Sequence, residues 1–180
     1  MDQSYLTIFY IASGLYVLLL SIAGALDTWK YIIPNAITVA LVALFVVTTL
    51  LLPFDMGWRD WLSHFGAAGA VLVGGAVLFA FKKMGGGDVK LITAVAFWAG
   101  FEYVGELILY ITLAGGVLAI ALIIIRRVLF GVMTAGAALS KIKLPRILLT
   151  GEPVPYGLAI APSAIFIGTK LPQLGVDLWF

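Results

Sequence analysis

Asp27 and Asp88 are the two side chains of this 180-residue chain best placed to do chemistry. Asp88 ends the run Gly85-Gly86-Gly87 and is followed by Val89-Lys90-Leu91, between two long apolar stretches. Asp27 closes the first apolar stretch and opens the polar segment Asp27-Thr28-Trp29-Lys30-Tyr31-Ile32-Ile33-Pro34-Asn35. An ionisable group at the rim of hydrocarbon is expensive to keep, so each is a functional candidate. Asp88 also has an ordinary explanation as a cap on a helix N-terminus. That explanation leaves the three glycines unaccounted for, whose freedom at positive φ lets a segment turn sharply and flex. It does not extend to Asp27, which falls at a helix C-terminal end, where a carboxylate is electrostatically disfavoured.

The chemistry open to such a pair is hydrolysis of a peptide bond. Water is a poor nucleophile and an amide a poor electrophile. One ionised carboxylate can take a proton from water while a protonated partner donates to the carbonyl oxygen and later assists departure of the amine. Two carboxylates a few ångströms apart share a proton and titrate as a pair. No metal, organic cofactor or covalent intermediate is required, and none is expected. Other routes are closed by composition. There is no cysteine, which removes thiolate nucleophiles, disulfides and cysteine metal sites. The single histidine, His64, leaves no His-rich zinc site and reads as a satisfied interfacial residue on the opposite side from both aspartates. A net charge of +2 with no basic array makes nucleic acid an unsuitable partner.

The elements that must position these aspartates are membrane helices. The chain is 63% hydrophobic and 11% charged, and apolar stretches of spanning length recur. The reading is an all-α, polytopic helical bundle with about six transmembrane helices, over residues 4–26, 36–52 (closed by Pro53), 62–81, 89–101, 107–125 and 156–171 (ended by Pro172). The fourth is short enough to lie near-perpendicular or to sit where the bilayer is thinned. Residues 128–139 are apolar but too short to span. With Arg126 and Arg127 on one flank and Lys141, Lys143 and Arg146 on the other, they predict an interfacial helix on the cytoplasmic side. A re-entrant half-span is the second choice. No basic residue precedes the first apolar run, so a cleaved signal peptide is not expected.

Charge sets the topology. Loops near residues 27–35, 82–90 and 126–155 hold Lys30, Lys82, Lys83, Lys90, Arg126, Arg127, Lys141, Lys143 and Arg146, against only Arg59 and Lys170 on the other side. By the positive-inside rule the first set is cytoplasmic, with both aspartates, and both termini face outward. Asp55, Asp60, Glu102 and Glu106 fall outside. Trp29, Trp58, Trp61 and Trp179 read as interfacial anchors. Gly66, Ala70 and Gly74 on the third helix, and Gly115 and Ala119 on the fifth, predict close helix seams.

The motifs resemble those of a known family. Asp27 with Lys30 and Ile33-Pro34-Asn35, then Gly85-Gly86-Gly87-Asp88-Val89-Lys90-Leu91, look like the two signatures of type IV prepilin peptidases. Pro155-Tyr156-Gly157-Leu158-Ala159-Ile160-Ala161 is similar to the segment that begins the last helix in that family. The resemblance implies an aspartic endopeptidase of the cytoplasmic membrane that removes a basic leader from a single-span pilin-like precursor at the cytoplasmic face. It implies Asp27 and Asp88 as the catalytic pair, with Gly85, Gly86 and Gly87 forming a flexible loop that admits extended substrate. Larger members carry a cysteine-containing domain linked to N-methylation. This chain has no cysteine, so residues 1–180 read as one membrane-embedded peptidase domain with no separate methyltransferase domain. The short form looks most like the peptidases of Flp-type (tight-adherence) pilus systems, with archaeal preflagellin peptidases next.

Lys30 and Lys90 read first as lysines that snorkel to lipid headgroups, and second as groups that contact substrate or lower a carboxylate pKa. Gly157 and Pro162 read as packing or kink residues. Three further readings stay open on the residues alone: a presenilin-type intramembrane aspartic protease, a small ion-coupled transporter or proton channel, and a purely structural assembly subunit. The first would place its leading aspartate within a span, and the second would favour the midplane and an internal repeat. Oligomeric state is not readable. The topology has a direct test. Lys83→Cys should label with an impermeant thiol reagent from the cytoplasmic side and Asp60→Cys from the other; the reverse pattern inverts the assignment.

Overall fold

A chain this apolar can satisfy its backbone groups in lipid only within its own segments, which favours helices throughout. The computed structural model describes residues 3–52, 56–135, 145–149, 151–171 and 174. Among them are five α-helices: α1 (Gln3–Lys30), α2 (Asn35–Leu51), α3 (Trp58–Ala80), α4 (Gly86–Ala135) and α5 (Gly157–Gly168). A 3-10 turn at Arg146–Leu148 completes the regular structure, with no strand among the described residues. Three segments are long and apolar enough to cross a membrane: α1, α3 and Gly86–Met133 of α4. Large apolar side chains cover their outer faces, as Val73 and Val117 do at 66% and 68% exposure. Surface of that kind belongs against lipid, and the molecule is a membrane protein.

One residue divides the longest helix. Gly100 has φ 59° and ψ −175°, a backbone conformation open essentially to glycine alone. The two arms of α4 on either side correspond to the predicted helices at 89–101 and 107–125. In an unbroken helix the Phe101 N–H would donate to the Phe97 carbonyl. Instead Phe101 N–H donates to Ser63 Oγ at 2.9 Å, and His64 Nδ1 donates to the Phe97 carbonyl at 2.7 Å. The carbonyl can only accept, which fixes the protonated nitrogen of His64. Both polar groups disturbed by the break are therefore caught by α3, and the buried His64 has a structural role.

The first arm of α4 is the centre of the bundle rather than a marginal span. Leu91, Val95 and Trp98 are fully buried, in contact distance of α1, α2, α3 and α5 side chains that form one core. Trp98 stacks tilted on Tyr16 and edge-on to Phe45, with ring centroids 4.9 Å and 5.2 Å away. Its indole N–H donates to the Leu41 carbonyl at 2.9 Å. Tyr16 in turn donates to the Ala164 carbonyl at 3.2 Å, fixing α1 to α5.

Several details differ from expectation. α1 runs on past Leu26 to Lys30, so Asp27 lies inside the helix rather than just beyond it. Residues 102–106 are helical although Glu102 and Glu106 read as loop; Glu106 pairs with Lys170 at 2.6 Å on the surface. Residues 126–135 continue α4 without interruption, so Arg126 and Arg127 do not start a separate interfacial helix. Arginine is a good helix former, and the segment holds no proline to stop it. Residues 136–139 of that expected helix, with Lys141 and Lys143, lie outside the described residues, as do Pro53, Asp55, Pro172 and Trp179. On α3 the close approaches fall at Gly66, where an added Cβ would strike Phe101, and at Gly75, where it would lie 2.8 Å from Val89 Cγ1. Ala70 is exposed and Gly74 meets open space, so the small-residue spacing gave the wrong face at its end. Gly115 does sit at a seam, against the Tyr156 ring.

Gly100→Ala should lower stability by about 1–3 kcal/mol, from the forbidden backbone geometry and from contact with His64 and Ser63. The readout is the thermal midpoint in detergent; an unchanged midpoint would mean the break does not need glycine.

Candidate active site

The two aspartates arrive from opposite kinds of helix end. Asp27 sits one turn before the C-terminus of α1. Tyr31, immediately past that terminus, has φ 54° and donates its N–H to the Asp27 carbonyl at 2.9 Å. The left-handed position after a helix normally falls to glycine. A tyrosine there carries strain, and the reversal it produces feeds Ile33 into the core and Pro34 into the start of α2. Asp88 sits in the first turn of α4. Its carboxylate curls back over Gly85, where an added Cβ would lie 2.8 Å from Asp88 Oδ2. This is the position from which a side chain reaches back toward the helix start.

α3 leads into that turn through a Schellman end. Lys82 N–H donates to the Phe79 carbonyl at 2.8 Å and Lys83 N–H to the Leu78 carbonyl at 2.9 Å. Lys82, with φ 56°, takes the left-handed position. Tyr31 and Lys82 are the only non-glycine residues at positive φ among the described residues, and both border the same space.

That space is a cavity of about 790 Å³ lined on different sides by Asp27, Asp88, Tyr31, Gly85, Lys83 and Tyr156, among others. Asp27 is 6% exposed and Asp88 8%, so the cavity joins two nearly buried carboxylates from different helices. Of the remaining expected site residues, Gly85 lines the cavity, whereas Gly86 and Gly87 already belong to α4. They pack closely instead of forming a loop: an added Cβ would lie 3.3 Å from Phe79 at Gly86 and 3.3 Å from Ile33 Cβ at Gly87. Lys30 and Lys90 are exposed and do not line the cavity. Lys90 Nζ donates to Asn35 Oδ1 at 2.9 Å, a tie between α4 and the start of α2.

The structure adds residues that the sequence did not single out for the site. The Gly157 N–H, at the start of α5, donates to Asp27 Oδ2 at 2.7 Å. Only a glycine fits there, because an added Cβ would lie 2.8 Å from Asp27 Cβ and 2.9 Å from its Oδ2. Before Gly157 the chain forms a strap whose Pro153 and Val154 close one side of the cavity. Arg126, on α4, holds the strap by its backbone. Its guanidinium donates to the carbonyls of Ile147 (3.0 and 2.8 Å), Glu152 (2.7 Å) and Pro153 (3.2 Å). A planar fork with several fixed donors suits this task, and a lysine could not reproduce it. On the outer surface of the strap Arg146 pairs with Glu152 at 3.2 Å and covers the Tyr31 ring, 5.4 Å from its centroid.

The arrangement thus places two nearly buried carboxylates, carried by different helices, beside one cavity. Residues 14–125, which include both aspartates, match the model of the type IV leader peptidase family. No curated protein and no solved structure matches the chain.

Arg126→Ala should release the strap. Amide hydrogen exchange at Leu148 and Leu149 should speed up by about tenfold or more, as expected when charge-assisted hydrogen bonds of roughly 1.5–3 kcal/mol are lost. Arg126→Lys should recover little of the protection. Unchanged exchange would show that the strap is held by other contacts.

Proposed function

Because the chain belongs to the type IV leader peptidase family, and is thus a peptidase, we propose that it removes the basic leader from Flp-type pilin precursors by a two-aspartate mechanism. The proposal places cleavage at the cytoplasmic face of the cytoplasmic membrane, with residues 1–180 acting as one peptidase domain. The observation that carries it is that Asp27 and Asp88, nearly buried and on different helices, line one cavity.

The residues then take definite parts. The Gly157 N–H occupies Asp27 Oδ2 and fixes the carboxyl plane. The other Asp27 oxygen and the Asp88 carboxyl flank a water molecule and the scissile carbonyl. One carboxylate takes a proton from water as its oxygen bonds to the carbonyl carbon, and the other carboxylic acid gives its proton to the carbonyl oxygen. Collapse of the tetrahedral intermediate breaks the C–N bond, and a proton passes to the departing amine. Burial of both groups keeps competing water away and strengthens the interaction between them. The substrate is a single-span precursor lying in the bilayer, with extended backbone entering between the strap and the α3–α4 turn. Positive charge in the cytoplasmic loops supports the assigned side.

Asp27→Asn and Asp88→Asn should each fold as the parent does and each lower leader removal by about 10²–10⁴-fold or more. The assay is a gel shift of a co-expressed precursor with a basic leader, a glycine before the cut and an apolar helix after it. Near-normal processing by either variant would end the two-carboxylate mechanism.

A further inference from the structure

The mechanism above makes no use of the Tyr31 side chain, which borders the cavity. Tyr31 lies one helical turn beyond Asp27 and lines the same cavity. Its hydroxyl oxygen is buried, yet it makes no hydrogen bond to any described residue. Tyrosine hydroxyls buried in proteins almost always find a partner, and an orphan costs the protein about 1–3 kcal/mol. The residue is also held at φ 54°, a second cost that an asparagine or glycine would reduce. Two unfavourable features at one cavity residue point to a use, since strain and unpaired groups persist where function needs them.

The surroundings say what kind of use. The charged groups that act on the hydroxyl are Glu152, Arg126, Arg146 and Asp27. Burial pushes its pKa above the usual phenol range, and Glu152 adds to the shift, so the group remains a protonated donor. The guanidinium of Arg146 lies over the ring and fixes its plane. Arg146 is itself 64% exposed and pairs with the less exposed Glu152, a contact near the surface worth on the order of 1 kcal/mol. A donor with no acceptor among the described residues, in the cavity that Asp27 and Asp88 also line, calls for an acceptor brought by the ligand. In an extended peptide the acceptors on offer at every residue are backbone carbonyls.

We propose that the Tyr31 hydroxyl donates a hydrogen bond to a backbone carbonyl oxygen of the bound precursor, at the scissile bond or the peptide next to it. The proposal rests on the peptidase reading above. At the scissile bond the hydroxyl would stabilise the charge that develops on oxygen as water adds; at the neighbouring peptide it would hold the backbone in register. In either place the interaction is made by a hydroxyl that has no hydrogen bond to any described residue.

Tyr31→Phe separates this role from a structural one. Because no hydrogen bond to a described residue is lost, its thermal midpoint in detergent should equal or exceed the parent's. Cleavage of a purified synthetic precursor, with a basic leader, a glycine before the cut and one apolar helix, should fall about tenfold in kcat/KM. A fall in kcat marks the scissile carbonyl and a rise in KM the neighbouring one, and either supports the proposal. A change in kcat/KM of less than about threefold overturns it, as does a thermal midpoint lowered by more than about 2 °C, which would reveal an internal partner. Asp27→Asn run beside it separates the two readings. An active Asp27→Asn variant removes the two-aspartate reading itself, whereas an inactive Asp27→Asn with a fully active Tyr31→Phe removes only the role of Tyr31.

Discussion

The hydrogen bond from the Gly157 N–H to Asp27 Oδ2 is the contact on which the cavity depends. It joins positions 130 residues apart in sequence and fixes the end of α1 against the start of α5. A carboxylate buried in an apolar bundle must be satisfied, and a backbone amide supplies a donor that no side-chain motion can withdraw. Close backbone approach is the condition. Gly24 on α1 and Gly157 on α5 meet where an added Cβ on Gly24 would lie 3.3 Å from the Gly157 carbonyl oxygen. With α5 so placed, the strap before it runs along the cavity edge, where its carbonyls accept from the Arg126 fork.

The second aspartate is positioned by different means. α4 begins at the rim of the cavity and runs at once into the most buried part of the bundle, with Trp98 wedged among Tyr16, Phe45 and the Leu41 carbonyl. Asp88 therefore stands on a rigid element, one turn from a packed core. Asp27 stands near the end of a helix whose last turn is open to solvent at Trp29 and Lys30. The site thus combines one carboxylate held by core packing with one held by a single long-range amide. Tyr31 and Lys82, the two non-glycine residues at positive φ among the described residues, both border the cavity.

Much of this was legible in the sequence because the medium is harsh. In an apolar chain any lone carboxylate is conspicuous, and Asp27 and Asp88 stood out for that reason alone. Helix positions followed from hydropathy to within a few residues, except that the second arm of α4 runs on to Ala135, ten residues past the expected end. The misses have common causes. Asp27 to Lys30 and Glu102 to Glu106 read as loops because they are polar, although helix geometry tolerates polar residues at its solvent ends. The Gly85–Gly87 run read as a flexible loop, whereas Gly86 and Gly87 serve close packing against Phe79 and Ile33. Arg126 counted only as a positive charge, because its partners are backbone carbonyls and these carry no sequence signal. Tyr31 and Lys82 adopt a conformation that sequence reserves for glycine and asparagine. Gly157 was visible, but its partner lies at the far end of the chain.

The break at Gly100 carries a consequence for how the protein is made. The Phe97 carbonyl and the Phe101 amide find their partners on α3. In lipid without α3 beside them, both groups would face hydrocarbon unpaired. The bend can therefore form only once α3 is already docked, so the two helices must mature in the bilayer as a joined hairpin. Assembly of the candidate site then waits on Ser63 and His64, two side chains at the opposite end of α3 from the turn that leads to Asp88.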